Sequence, residues 1–200
     1  MKKLLITGFN SFLNHPNNPS EDLLKSFEIN SEKIDITKWI LPVEYATVKE
    51  QVPALLEEIN PDFLINLGYA SDRYAITPEI AALNYIDTES PDNKGVTILN
   101  KRIIENAPNA FFSDFNWSHY INKLKAENIP CKISSDAGTY LCNFTSYLFQ
   151  YHIHAMKLDT KQGFIHIPKM DLKVLNKALT LLIQDLESGH KNLSKETIDR

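Results

Sequence analysis

No stretch of these 200 residues approaches the roughly 18 consecutive apolar residues that a membrane-spanning helix needs. The start is basic and then apolar, Met1-Lys2-Lys3 before Leu4-Leu5-Ile6. Its apolar part is three residues long, far short of a signal peptide's apolar segment, so it reads as a first buried strand. There is no basic stripe: 21 Lys and Arg stand against 25 Asp and Glu, and a net charge of -4 is a poor match for a phosphate backbone, so no nucleic acid is expected. Cysteine occurs only twice, at Cys131 and Cys142. Without a leader the expected compartment is the reducing cytoplasm, where the two are free thiols rather than a disulfide. No repeat, low-complexity segment, Gly-x-Ser-x-Gly elbow, phosphate loop or dinucleotide fingerprint is present. The histidines lack zinc-ligand spacing; His152 and His154, two apart on a predicted helix, point to different faces.

What is present is a globular composition, 43% hydrophobic and 23% charged, long enough for one sizeable core and too short for two ordinary domains. Residues 1–188 read as that single domain and 189–200 as a polar tail. Short apolar runs at Lys3–Thr7, Ile34–Val43, Phe63–Leu67 and Gly163–Ile167 predict strands. Between them, helical spacing recurs from Ser20, a candidate cap, to Phe27, through Val48 to Ile59 (with Pro61 as its stop), Trp117 to Leu124, Tyr140 to Tyr151, and Leu172 to Leu186. Strands alternating with helices predict an α/β fold, a three-layer αβα sandwich with a mostly parallel central sheet. In such sheets functional groups gather where strands end and loops begin.

Three residues draw attention there. Cys142 follows the small and polar run Ser135-Asp136-Ala137-Gly138-Thr139, where a helical pattern begins. A thiol in the first turn of a helix meets partial positive charge and unpaired N–H groups, which favour a thiolate nucleophile and can hold an oxyanion. The plainer reading is a small buried residue on an amphipathic helix. Cys131 has no such setting and reads as structural. His166 sits inside the apolar strand Gly163-Phe164-Ile165-His166-Ile167 and needs a partner for its nitrogens, which is equally the condition of a satisfied core histidine. Glu79 follows Thr77-Pro78, which reads either as a helix start with an exposed first-turn acid or as the group that orients His166.

Several ordered blocks carry a resemblance to a known family. They are Leu5-Ile6-Thr7-Gly8-Phe9-Asn10-Ser11-Phe12 with Asn18-Pro19-Ser20; Leu41-Pro42-Val43; Gly68 to Arg73; Ile76-Thr77-Pro78-Glu79 with Ala82, Asn84 and Asp87; Pro91-Asp92-Asn93-Lys94-Gly95; Ala137-Gly138-Thr139-Tyr140-Leu141-Cys142-Asn143; and Gly163 to Pro168. In this order they resemble the pyroglutamyl peptidase I (pyrrolidone-carboxylate peptidase) family. The resemblance implies a thiol peptidase that removes N-terminal pyroglutamyl residues from peptides, with a triad of Cys142, His166 and Glu79 and no metal or organic cofactor. It implies an apolar slot for the lactam ring, with Phe9, Phe12, Val43, Tyr140 and Leu141 at matching positions and backbone groups around Tyr69, from Gly68 to Ala70, reading the ring amide. It also implies a homo-oligomer, dimer or tetramer.

The chain departs from the family pattern beside the site. Leu13-Asn14 stand where the family usually has two glycines, which changes the loop backbone because Leu does not readily take a positive φ. Glu89 stands where the family usually has a basic residue, and an acid aimed at Cys142 would raise the thiol pKa. Asp72 replaces a usual glycine, and the loop after Pro168 is short, which predicts a more open site. These departures keep a second reading in play, a non-catalytic or altered-specificity homologue that binds blocked N-termini or small ligands.

Overall fold

The structure, a computed structural model, describes residues 1–12 and 17–189. Leu13, Asn14 and His15, and the polar tail from His190 onward, lie outside the described residues. The first half of the chain runs β1 (Lys2–Phe9), α1 (Pro19–Ser26), β2 (Ile34–Leu41), α2 (Tyr45–Ile59) and β3 (Phe63–Tyr69). Short strands follow: β4 (Thr77–Glu79), β5 (Ala81–Leu83), β6 (Ile86–Thr88), β7 (Ile98–Lys101) and β8 (Ala110–Phe112). The chain then continues with α3 (Trp117–Ala126), α4 (Leu141–Ala155), β9 (Lys161–Ile167) and α5 (Leu172–Glu187).

The main sheet has the order β2-β1-β3-β9-β4. Its first four strands are parallel, and β4 joins the edge antiparallel to β9. Strand residues alternate between two apolar layers because side chains in a strand point to opposite faces in turn. Leu4, Ile6, Ile65, Leu67, Ile165 and Ile167 pack on one face with residues of α1, α3 and α5. Leu5, Phe9, Leu64 and Phe164 pack on the other with residues of α2 and α4. The architecture is thus the expected three-layer α/β arrangement, and no helix among the described residues is long and apolar enough to cross a membrane.

The periodic segments fold as their patterns imply, with corrections at the ends. Helix α1 is capped by Asn18, whose side chain accepts from Ser20 N, and not by Ser20. Pro19 takes the first helical position, so the cap falls one residue before it. The Ser20 hydroxyl instead accepts from Phe9 N and donates to Asn18 Oδ1, pinning the exit of β1 to the helix start. Helix α2 ends one residue before Pro61, at Asn60 in the left-handed conformation with φ 45°.

The larger correction is at Glu79. The helix start suggested by Thr77-Pro78-Glu79 does not form, and these residues make β4. Pairing settles the matter. Thr77, Pro78 and Glu79 register with His166, Ile165 and Phe164 of β9. On the other side Ser134 N donates to Pro78 O and Ile80 N donates to Ser134 O. Hydrogen bonds on both flanks outweigh a local capping signal. Glu79 is consequently 2% exposed, and the exposed first-turn acid is excluded.

Gly163 shows how closely α3 approaches the sheet: a methyl group built on it would lie 2.4 Å from the Trp117 ring. Trp117 is anchored there by Nε1–H donating to Glu79 O at 3.2 Å. Gly163→Ala is therefore expected to overpack this contact and destabilise the protein by about 1–3 kcal/mol, read as a lowered midpoint in denaturant unfolding.

Candidate active site

The site lies over the α2/α4 face of the sheet, toward the carboxyl ends of β1, β3 and β9. Gly68 of β3 and His166 of β9 are register partners, so their side-chain directions share that face. A methyl group on Gly68 would meet Cys142 Sγ at 2.8 Å and the Phe164 ring at 2.6 Å. The thiol therefore rests on the bare backbone of Gly68, one strand spacing of about 4.8 Å from the strand that carries His166. Phe164 lies against the imidazole, with ring centroids 4.9 Å apart. The absence of a side chain at Gly68 is what lets α4 bring its second residue so close to the sheet.

His166 is 4% exposed, and its Nδ1–H donates to Glu79 Oε1 at 2.7 Å. That contact fixes the tautomer and leaves Nε2 as the basic nitrogen. No hydrogen bond joins the Cys142 thiol to His166 among the described residues; their relation is proximity over one face, not a formed bond. Glu79 Oε1 also accepts from Arg73 Nη1, and Arg73 Nη2 donates to Asp136 O at 2.7 Å. The sequence around Arg73 carries no motif that assigns it a role. The only signal was a basic residue six positions before Glu79 at the end of the Gly68–Arg73 block.

Cys142 follows Leu141 at the start of α4, as the pattern implied, and Tyr140 caps that helix without any side-chain hydrogen bond. The first backbone N–H groups of α4 thus have no side-chain cap. The thiol is half-buried, and its pKa differs from the expectation of a helix-stabilised thiolate. Burial first, and the Glu79 carboxylate second, push it up to about 12, with Arg73 pulling the other way. Burial likewise holds His166 below its ordinary value, against the opposing pull of Glu79. The resting pair is therefore neutral thiol and neutral imidazole. Glu89 is exposed, and the charges that act on Cys142 are those of Glu79 and Arg73, so Glu89 does not set the thiol pKa.

A small cleft opens beside the thiol, lined by Phe9, Phe12, Val43, Tyr69, Tyr140 and Leu141, together with Cys142 and Asn18. The five expected slot residues and Tyr69 thus line one cavity. Phe9, Val43 and Leu141 are buried, while Phe12, Tyr69 and Tyr140 are half-buried around them. The Pro91–Gly95 block clamps these walls. Tyr140 Oη donates to Pro91 O, Asn93 N donates to Val43 O, and Asp92 Oδ2 accepts from Tyr45 N at the start of α2. Asn18 was missed because its signal is that of a helix cap; its amide donates to Asn10 O and its carbonyl serves Ser20. Of the backbone groups expected to read a ring amide, the Ala70 N–H already donates to Ile167 O. Cys131 lies elsewhere, its thiol 3.6 Å from Ile121 O, and both cysteines are free.

Comparison with known proteins agrees with this geometry. The family model for pyroglutamyl peptidase matches residues 2–186. Pyrrolidone-carboxylate peptidase 1 of Caldanaerobacter subterraneus is 36% identical over 199 residues, covering 96% of this chain and 98% of that protein. The Pyrococcus furiosus pyrrolidone-carboxylate peptidase is 37% identical over 176 residues, covering 88% of this chain and 85% of that protein. Among solved structures, a mutant pyrrolidone carboxyl peptidase from P. furiosus superposes with a TM-score of 0.88 at 32% identity over 94% of this chain and 99% of that one. The Thermococcus litoralis pyrrolidone carboxyl peptidase gives 0.86 at 30% identity over 98% of this chain and 100% of that one.

Because Cys142 Sγ occupies the space a side chain at 68 would need, Gly68→Ala is expected to displace the thiol. Steady-state kinetics on a pyroglutamyl amide should show kcat/KM lowered by about 100-fold, the scale for misplacing a reacting group by about 1 Å.

Proposed function

The chain belongs to the pyroglutamyl peptidase family, and from that premise we propose that it is a cysteine hydrolase removing N-terminal pyroglutamyl residues from peptides, with Cys142 as nucleophile, His166 as general base and acid, and Glu79 orienting the imidazole. The buried Glu79–His166 hydrogen bond, set over the sheet face on which the Cys142 thiol rests, carries this reading. A histidine kept in one tautomer by a buried carboxylate, beside a thiol at an uncapped helix start, is the arrangement acyl transfer requires.

The neutral resting pair sets the order of events. The lactam ring enters the apolar cleft between Phe9, Phe12, Val43, Tyr69, Tyr140 and Leu141, which suits an uncharged flat ring better than a charged amino terminus. His166 Nε2 takes the thiol proton as sulfur attacks the pyroglutamyl carbonyl carbon. The developing oxyanion turns toward the open N–H groups at the start of α4. His166 then protonates the departing peptide amine, leaving a thioester on Cys142. Water, deprotonated by His166, attacks that thioester; free pyroglutamate leaves and the thiol is restored. The imidazolium formed in each half is stabilised by Glu79. No step calls for a metal or an organic cofactor.

Two coarser features belong to the same reading. The free thiols suit a reducing cytoplasm. Homo-oligomer formation would cover exposed apolar residues such as Leu83 and Phe112 on the β5–β8 ribbon.

The test is release of aminocoumarin from a pyroglutamyl-aminocoumarin amide under reducing conditions. Cys142→Ala is expected to fold normally and lose turnover on the order of 10⁴-fold or more, while Cys131→Ser keeps it largely unchanged. Since burial lowers His166, the neutral base survives to more acid pH; kcat/KM should hold through the ordinary histidine value near 6.5 and fall only below it. A folded wild type that releases nothing, or a Cys142→Ala variant as active as wild type, would refute the assignment.

A further inference from the structure

Arg73 follows the turn after β3, where its backbone N–H donates to Ala70 O. Its side chain is mostly buried, at 18% exposure, and it reaches three groups. Nη1 donates to Glu79 Oε1 and to Thr77 Oγ1, two side chains on the same face of β4. Nη2 donates to the carbonyl of Asp136. That carbonyl lies in the 134–140 loop, which runs from β4's flank to the start of α4 and delivers Cys142. The loop is further pinned by Thr139 Oγ1 on Asp87 O and by Tyr140 Oη on Pro91 O. We propose that Arg73 is a positioning residue for the reaction: one guanidinium nitrogen shares Glu79 Oε1 with His166, and the other holds the loop that sets the nucleophile. This rests on the Cys142–His166–Glu79 reading and adds a fourth member that touches neither substrate nor reacting atoms.

The physical ground is charge and shape. A carboxylate as buried as Glu79 is costly unless paired, and a planar guanidinium reaches two partners from two separate nitrogens, which the single nitrogen of an ammonium does not. Arg73 balances the Glu79 charge, so Glu79 orients His166 without drawing a proton permanently onto it. The groups that face His166 are Glu79 from β4, Cys142 from α4, and Arg73 with the exposed Asp72 from the turn after β3. Glu79 and Asp72 favour the imidazolium, and Arg73 opposes it. Removing the Arg73 charge leaves burial alone to oppose the two acids that favour the imidazolium.

The experiment compares wild type, R73Q and R73K by NMR titration of the His166 ring, assigned with His166→Asn, and by kinetics on the pyroglutamyl amide. In R73Q the His166 titration should move up by roughly one pH unit, the acid limb of kcat should move with it, and kcat should fall about tenfold or more with KM little changed. R73K keeps the charge but cannot span Glu79 and Asp136, so its His166 titration should stay at the wild-type position while kcat still falls. An R73Q titration that overlays wild type, or a loss confined to KM, overturns the proposal. If R73Q does not fold, R73K decides: a wild-type titration with lowered kcat supports it, and unchanged kcat overturns it. The titration needs no turnover, so an inactive wild type would sink the triad reading while the NMR comparison still judged Arg73.

Discussion

One buried carboxylate oxygen, Glu79 Oε1, organises the site. It receives a proton-bearing nitrogen from His166 and another from Arg73, in surroundings where Glu79 is 2% exposed. Moving a carboxylate out of water costs several kcal/mol even after relaxation. The two donors offset that cost where Glu79 sits. The dependence runs outward from that oxygen. His166 is held in one tautomer, Arg73 is held against β4, and through Asp136 the chain leading to α4 is held as well. The antiparallel edge strand β4 exists to the extent that β9 and Ser134 pair with it, so the charge network and the sheet edge support each other.

The second constraint is steric. An α/β sheet of parallel strands opens its crevice at the carboxyl ends of the strands, and here Gly68 and His166 lie side by side in that crevice. Gly68 contributes nothing but space, and that space is filled by Cys142 Sγ and Phe164. Burial then keeps both reacting groups uncharged at rest. The free energy that would be needed to maintain a desolvated thiolate–imidazolium pair is not spent before the substrate arrives. Proton transfer instead accompanies attack, in a site already walled by apolar side chains.

Much of this was legible in the sequence, for reasons that differ from residue to residue. The alternation of apolar runs and helical spacing located every strand of the parallel core and all five helices among the described residues, because those patterns reflect which face is buried. The small polar run before Tyr140 located the start of α4 and hence the place of Cys142. At Glu79 the local signals pointed to a helix cap; only pairing with β9, distant in sequence, turns Thr77-Pro78-Glu79 into a strand, and no local signal carries that. The thiol pKa was misjudged for a related reason: the helix start is visible in sequence, whereas burial against Gly68 and the nearness of Glu79 are properties of the folded chain. Arg73 has no signal in the sequence beyond its place at the end of the Gly68–Arg73 block, and only the fold shows that Glu89 is exposed.

The proposed chemistry turns on covalent attack by Cys142 beside the apolar cleft. Alkylation with iodoacetamide, followed by peptide mapping and residual-activity assay with and without 2-pyrrolidone, tests it most directly. Loss of hydrolysis in step with modification of Cys142, slowed when the lactam occupies the cleft, is the predicted result. Hydrolysis that survives full modification of Cys142, or that tracks modification of Cys131 instead, would contradict it.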